Sequence, residues 1–296
     1  MLPNFLIAGA ARCGTTSLYY YLKQHPEISF PKLKEPKYFS SLKRQFPQNG
    51  IGDENIDRYI IKDFTAYEAL FSTLSNKRVG EASPDYLYYS KYTAKYIKQM
   101  LGDIPIIILI RNPIERAKSA YKYLTRENRE HLPFPDALDA EEERLVNNWD
   151  FMWAYKSYGL YFQNIMHFKS IFTNVSVILY EEFISNKERT LKGIFNFLGV
   201  DDKIRIDTKM IHNPSGKPNL IGKMVLDRQS RISTVLREVL KRTVPRKYLE
   251  YVANKTMKEM HINNSVDSDL QVFYKDDVNN LSQLLQKDMG YIWFGN

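Results

Sequence analysis

A three-layer α/β fold, built on a central, mainly parallel sheet, is predicted by three features of this sequence. Short apolar runs, "NFLIAGA" (4–10), "IPIIILI" (104–110) and "VSVILY" (175–180), are separated by stretches of helical periodicity. That alternation is the pattern of a parallel sheet with helices on its faces. The middle run is apolar throughout, as a strand covered on both sides must be. Finally, a glycine loop, "GAARCG" (9–14), joins the first apolar run to the first helical one, which is the strand–loop–helix setting of a phosphate-binding loop.

Taken in order, "NFLIAGA" reads as a buried strand closed by Gly9. "TTSLYYYLKQ" (15–24) reads as a helix with Leu18, Tyr21 and Leu22 on one face. His25-Pro26 stops that helix. "KRVGEAS" (77–83) is a second short strand and "YTAKYIKQML" (92–101) a helix. After the central strand, Asn112 caps and Pro113 begins a helix over "IERAKSAYKYLTR" (114–126). "YFQNIMHFKSIF" (161–172), the strand 175–180 and "KERTLKGIFNFLG" (187–199) continue the alternation, and "LQVFYKDDVNNLSQLL" (270–285) is an amphipathic helix. Residues 128–150 are charged and broken by proline, so a mobile loop and a solvated helix are expected there; "NPSGKPN" (213–219) is a turn-rich loop. With no repeat and no low-complexity linker, residues 1–296 are expected to form a single domain.

Hydrophobic content of 44% with 26% charged residues is globular composition and excludes wholesale disorder. No apolar run in the strand-like segments is long enough to cross a bilayer. "MLPNFLIAGA" has neither a basic n-region nor a cleavage pattern, so no signal peptide and no membrane span are expected. Cys13 is the only cysteine, which rules out an intramolecular disulfide and suits a reducing cytoplasm. Inside a glycine loop it reads as a small packing residue. A net charge of +8 favours anionic ligands, although no recognised nucleic-acid module is present.

The loop itself narrows the chemistry. Gly9 and Gly14 have the spacing of the ATP-binding signature G-x-x-x-x-G-K-[ST], but Thr15 stands where that signature needs lysine. Thr15 and Thr16 keep hydroxyls, and the nearest cation is Arg12, within the loop. In ATP chemistry that lysine reaches the β- and γ-phosphates. Its absence points to a ligand with less charge than a triphosphate and no need of metal; a phosphate–sulfate anhydride fits. A second constellation is Arg111, at the C-terminal end of the central strand, with Ser119 on the following helix, nearly opposite the apolar face of Ile114, Ala117, Tyr121 and Leu124. An arginine and a hydroxyl together can hold one phosphate.

"GAARCGTTSL" (9–18) resembles the 5′-phosphosulfate loop, G-x-x-[KR]-[SCG]-G-T-[TR]-x-L, of sulfotransferases that use 3′-phosphoadenosine 5′-phosphosulfate (PAPS). "ILIRNPIERAKSAY" (108–121) resembles their 3′-phosphate segment, and "HNPSGKPN" (212–219) the loop that closes over that phosphate. The resemblance implies a P-loop-like fold and donor contacts from Ala11, Arg12, Cys13, Gly14, Thr15, Thr16, Ser17, Arg111, Ser119, Ser215, Gly216 and Lys217. Many members carry lysine at the Arg12 position; here a guanidinium fork replaces a point donor.

Carbohydrate-type members share a Lys-Glu-x-x-[FY]-F segment with a catalytic glutamate, matched by "KEPKYF" (34–39). That implies Glu35 as the base, with Arg12 assisting catalysis and Lys37 contacting substrate. "GEASPDYLY" (80–88) resembles their Gly-Glu-Lys-[ST]-Pro segment, with Ala82 replacing the lysine and Ser83, Asp85 and Tyr86 as acceptor-pocket candidates.

The implied reaction is sulfuryl transfer from PAPS, leaving 3′,5′-adenosine bisphosphate (PAP), to a hydroxyl or amine. The acceptor is expected to be a carbohydrate or else a small hydroxylated molecule such as a sterol, with no metal and no nucleic acid involved. His25 is read as structural, and His131, His167 and His212 have no metal-ligand or triad spacing. Two other classes fit the sequence less well. A P-loop kinase or NTPase would require the absent lysine and a magnesium-holding aspartate. A non-catalytic polyanion binder would have no use for the loop's spacing.

Overall fold

The computed structural model describes residues 2–209, 262 and 264–295, together with the backbone of 217–218 and 257–258. Its strands are β1 (Phe5–Gly9), β2 (Ile28–Ser29), β3 (Arg78–Ala82), β4 (Ile106–Ile110), β5 (Val175–Leu179) and the short pair β6 (Lys217–Pro218) and β7 (Met257–Lys258). The helices before β4 are α1 (Thr15–Leu22), α2 (Tyr38–Ser41), α3 (Glu54–Asp57), α4 (Phe64–Ala69), α5 (Asp85–Tyr88) and α6 (Ser90–Leu101). After it come α7 (Pro113–Arg126), α8 (Phe134–Asp139), α9 (Glu141–Val146), α10 (Phe162–Lys169), α11 (Tyr180–Ser185), α12 (Lys187–Leu198), α13 (Asp267–Leu285) and α14 (Met289–Phe294).

β1 to β5 form one sheet in the order β2-β3-β1-β4-β5, and every pairing in it is parallel. All five residues of β1 and of β4 are buried, which is why their sequences are apolar without alternation. The expected strands and helices of the α/β layers are present. β1 lies at the centre, between β3 and β4, so the connections leaving it diverge and open a crevice beyond the strands' C-terminal ends. The glycine loop sits at that point.

Local chemistry explains the loop and its neighbour. Gly14 has φ 88°, and a Cβ there would meet the Tyr180 ring at 3.0 Å, so glycine is required on two counts. Gly9 is closed in as well: an added Cβ would lie 2.3 Å from Leu87. At the start of α7 the Asn112 side chain accepts from the backbone N–H groups of Ile114 (2.9 Å) and Glu115 (3.3 Å), with Pro113 in the first turn. That junction is held from the far end of the chain. Asn112 Nδ2 donates to the Trp293 carbonyl (2.6 Å), while Glu181 accepts from Asn112 N–H (2.9 Å) and Trp293 Nε1 (3.3 Å).

One expectation fails. Residues 128–150 are not a mobile loop with a solvated helix; they fold as α8 and α9 and bury much of their charge. Glu130 accepts from both nitrogens of Arg144 (2.6 and 3.1 Å) and from the Tyr155 hydroxyl (2.8 Å). Asp53, fully buried, accepts from Gly50 N–H (2.9 Å), Asp150 N–H (2.8 Å), Trp153 Nε1 (3.2 Å) and Arg129. The charges that suggest solvent in the sequence find partners 14 to 106 residues away, and a buried ion is tolerated once paired and hydrogen-bonded. This network ties the 50–57 turn to residues 150–153, which form one wall of the site.

Candidate active site

The first helical turn of α1 presents backbone N–H groups that no intrahelical carbonyl can satisfy. Beside them the loop is propped from outside: Ala11 N–H donates to the Tyr158 hydroxyl (3.0 Å), which in turn donates to the Pro84 carbonyl. Arg12, at φ 69°, turns its side chain toward α7. Its Nε donates to Ser119 Oγ (3.2 Å), and its guanidinium lies 4.9 Å from the centre of the Tyr123 ring. The loop and the α7 segment, read separately from the sequence, are therefore in direct contact.

A cavity of about 340 Å³ opens in front of this contact. Ala11, Arg12, Thr15 and Thr16 form its loop side, and Tyr123, Arg126 and Glu127 continue the α7 stripe. Lys34, Glu35 and Lys37 face them, with Ile56, Pro84, Phe151 and Met152 as an apolar rim. A larger groove of about 510 Å³, between α12 and residues 202–208, lies away from the loop and contains none of the motif residues.

The site's electrostatics favour an anion. Burial and the neighbouring charges of Arg126 and Arg111 pull Arg12 down to about 10, against partial support from Tyr123. Cations already held at a cost are relieved by a negatively charged ligand. Lys37 is buried, its ammonium 5.1 Å from the centre of the Phe151 ring and without a hydrogen-bond acceptor among the described residues. Its burial disfavours the charge, but Asp85, Asp150 and Glu35 together hold its affinity for the proton above the ordinary range.

Glu35 sits in the left-handed region at φ 62°, followed two residues later by Lys37 at φ 56°. Non-glycine residues pay for that backbone, and here it aims both side chains across the cavity. Burial pushes the Glu35 carboxyl up, yet Lys34, with which it pairs, Lys37 and Arg12 outweigh that and hold it below the ordinary carboxylate value. Glu35 is thus ionised at neutral pH and able to accept a proton.

The remaining sequence candidates divide. Arg111 stacks on Tyr180 (4.7 Å) and pairs loosely with Glu115 (3.5 Å) beside the loop. Cys13 is buried beneath it, and burial pushes its thiol up to about 11, a packing residue rather than a nucleophile. Gly14, Ser17, Arg111 and Ser119 do not line the cavity; Ser119 is joined to it through Arg12.

Ser83, Asp85 and Tyr86, expected at the acceptor pocket, are fully buried behind it. Ser83 Oγ accepts from Lys37 N–H (3.0 Å), Asp85 accepts from Ser40 Oγ (2.5 Å), and the Tyr86 hydroxyl donates to Glu81 (3.1 Å). They orient the Lys37 segment instead of reaching into the cavity, because the turn from β3 into α5 points them inward.

Ser215 and Gly216 lie outside the described residues. Of Lys217 only the backbone is described; β6 lies against α7, the helix that carries Ser119. His25 is buried at the end of α1, its Nε2 2.8 Å from the Asp201 carbonyl, consistent with its structural reading. Among the described residues no group of His, Cys, Asp and Glu is arranged to hold a metal ion, and no helix is long and apolar enough to cross a membrane.

Sequence reading missed Tyr123, Arg126 and Tyr158. The first two carried a signal, since they follow Ser119 by four and seven residues and so share its helix face. Tyr158, Ile56 and Phe151 carried none; only long-range packing brings them to the loop.

The fold and site define a P-loop-like α/β protein with a cationic crevice at its glycine loop. A model of the sulfotransferase family matches residues 3–203, and the chain belongs to that family. A crystallographic structure of a sulfotransferase from Alicyclobacillus acidocaldarius superposes with a TM-score of 0.74 at 33% identity, over 97% of both chains. Membrane-associated sulfotransferase kil1 of Dictyostelium discoideum is 36% identical over 122 residues, 41% of this chain and 23% of that protein. Human carbohydrate sulfotransferase 15 is 25% identical over 248 residues, 67% of this chain and 44% of that protein. The chain therefore spans less than half the length of these two curated relatives.

Proposed function

We propose that this chain transfers a sulfuryl group from PAPS to a hydroxyl or amine of an acceptor, with a carbohydrate as the acceptor class. One observation carries the reading. Arg12 of the 5′-phosphosulfate-type loop, which lines the cavity, bonds Ser119 of the 3′-phosphate-type helix, so the cationic and hydroxyl partners for a nucleotide phosphorylated at both ends of its ribose are in direct contact. ATP lacks the 3′-phosphate, and Thr15 replaces the lysine its γ-phosphate needs.

The donor supplies an activated sulfuryl group on a phosphate leaving group. The chain's part is positioning and charge. Amides at the start of α1, with Arg12, stabilise negative charge as it develops on the phosphate oxygen. Arg111 and Ser119 hold the 3′-phosphate. Glu35 accepts the proton of the attacking hydroxyl as the new O–S bond forms and the old S–O bond breaks. Its depressed proton affinity means that its efficacy comes from placement. Lys37 faces the same space and neutralises the incoming group. The named activities of the relatives and the Lys-Glu-x-x-[FY]-F match support a carbohydrate acceptor. The apolar rim of Ile56, Phe151 and Met152 favours the second reading, a small hydroxylated molecule such as a sterol. The single buried cysteine agrees with a cytoplasmic setting for either.

Thermal-shift titration tests the donor. PAP at about a hundredfold excess over its Kd stabilises by about 2.7 kcal/mol, with no change on adding chelator, while ATP gives no comparable shift. Stabilisation by ATP alone, abolished by chelator, would return the chain to the kinase class.

A further inference from the structure

Arg12 stands where the sulfotransferase loop pattern takes lysine or arginine, and a planar guanidinium has to be oriented before it can serve that loop. The structure assigns that task to a residue outside every recognised motif: we propose that Tyr123 is a positioning residue that holds the Arg12 guanidinium against α7, in register with Ser119. The inference rests on the sulfotransferase reading of the site and deepens it.

Three observations support it. Arg12 is anchored at one atom by its Nε bond to Ser119 Oγ (3.2 Å), which leaves the planar end of the guanidinium to be oriented by something else. The Tyr123 ring lies under that end, 4.9 Å from centre to guanidinium carbon. Arg126 stacks on the same ring at 5.4 Å, and both arginines line the cavity. Two like charges are thereby held close to one aromatic face system, which offsets part of their repulsion through the ring's quadrupole.

Tyr123 is four residues beyond Ser119, so both project from one face of α7. A lysine at position 12 would be a compact point charge on a flexible stem; an arginine needs its plane set if its remaining N–H groups are to meet an oxyanion. The ring sets that plane.

A double-mutant cycle with PAP as the probe decides the matter. PAP affinity is measured by calorimetry for the parent chain, Y123F, Y123L, R12A and R12A/Y123L. Y123F keeps the ring and is expected to bind PAP within about twofold of the parent. Y123L is expected to lose roughly fivefold, in line with a partly buried cation–π contact. In the R12A background the same change is expected to cost about twofold at most, because only the more distant Arg126 then remains against the ring.

A Y123L loss that persists undiminished in the R12A background would show Tyr123 acting on the fold or on the nucleotide directly, and would overturn the proposal; so would an unchanged affinity in Y123L. Melting of each variant without ligand separates unfolding from weakened binding, and Y123M carries the same comparison if Y123L does not fold. Failure of the parent chain to bind PAP overturns the donor reading, a result distinct from either of these.

Discussion

Removing the Ser119 hydroxyl tests the coupling of the two halves of the donor site, and its magnitude follows from the geometry. In S119A the Arg12 Nε loses its acceptor at 3.2 Å in a partly buried setting. A hydrogen bond to a charged group contributes about 1.5–3 kcal/mol when buried; partial solvent access here reduces that to about 1 kcal/mol. Loss of the hydroxyl as a charge-assisted donor to the 3′-phosphate adds about 1.5–2 kcal/mol. PAP should therefore bind about 100-fold more weakly to S119A, at 1.4 kcal/mol per factor of ten. Adenosine 5′-monophosphate, which lacks the 3′-phosphate, should lose only the Arg12 part, about fivefold. Calorimetric titration of both nucleotides into both proteins measures the difference. Equal losses for the two ligands, or none for PAP, would refute the assignment of Ser119 to the 3′-phosphate and with it the reasoning that joins the loop to α7.

Changing Glu35 to Gln keeps the shape and removes the base, so kcat should fall by about 10²–10⁴ while the Kd for PAP stays within about twofold; unchanged turnover would remove Glu35 from its role. Because cations hold Glu35 below the ordinary carboxylate value of 4.5, the acid limb of kcat/KM should lie below that pH, which a rate profile in the parent chain checks. Glu81 behaves in the opposite sense: fully buried under the Tyr67 and Tyr86 hydroxyls, it is pushed up to about 7 by that burial. A raised folded-state value means its contribution is complete below 4.5 and lost as pH rises toward 7, about 3 kcal/mol in all; urea melts of E81Q should show a correspondingly flatter pH dependence between those limits. Gly14→Ala combines a left-handed backbone with a 3.0 Å contact to Tyr180, and should cost about 1–3 kcal/mol of stability and weaken PAP binding along with it.

The sequence by itself determined the sheet and the chemistry carried by contiguous segments. The unbroken apolarity of "IPIIILI" required a strand covered on both faces. The Gly9–Gly14 spacing required a turn at a helix start, and Asn112-Pro113 required the next helix to begin where it does. Each of these is a local rule, decided by neighbours a few residues apart. Contiguity also let Glu35 and Lys37 be picked out together, since both sit in one short segment.

Only the tertiary structure decided which residues share the cavity. Ser83, Asp85 and Tyr86 looked as suited to the acceptor as Lys37 did, yet the turn from β3 into α5 buries them as its support. Arg129, Glu130, Arg144 and Asp150 looked solvated until partners distant in sequence closed around them. Tyr123 and Tyr158 resemble any other aromatic on a helix or loop until Arg12 and the Ala11 amide are laid against them. Local propensity fixes where an element starts and which face it buries. What an exposed or charged side chain meets depends on how distant elements cross, and a chain read residue by residue holds no record of that crossing.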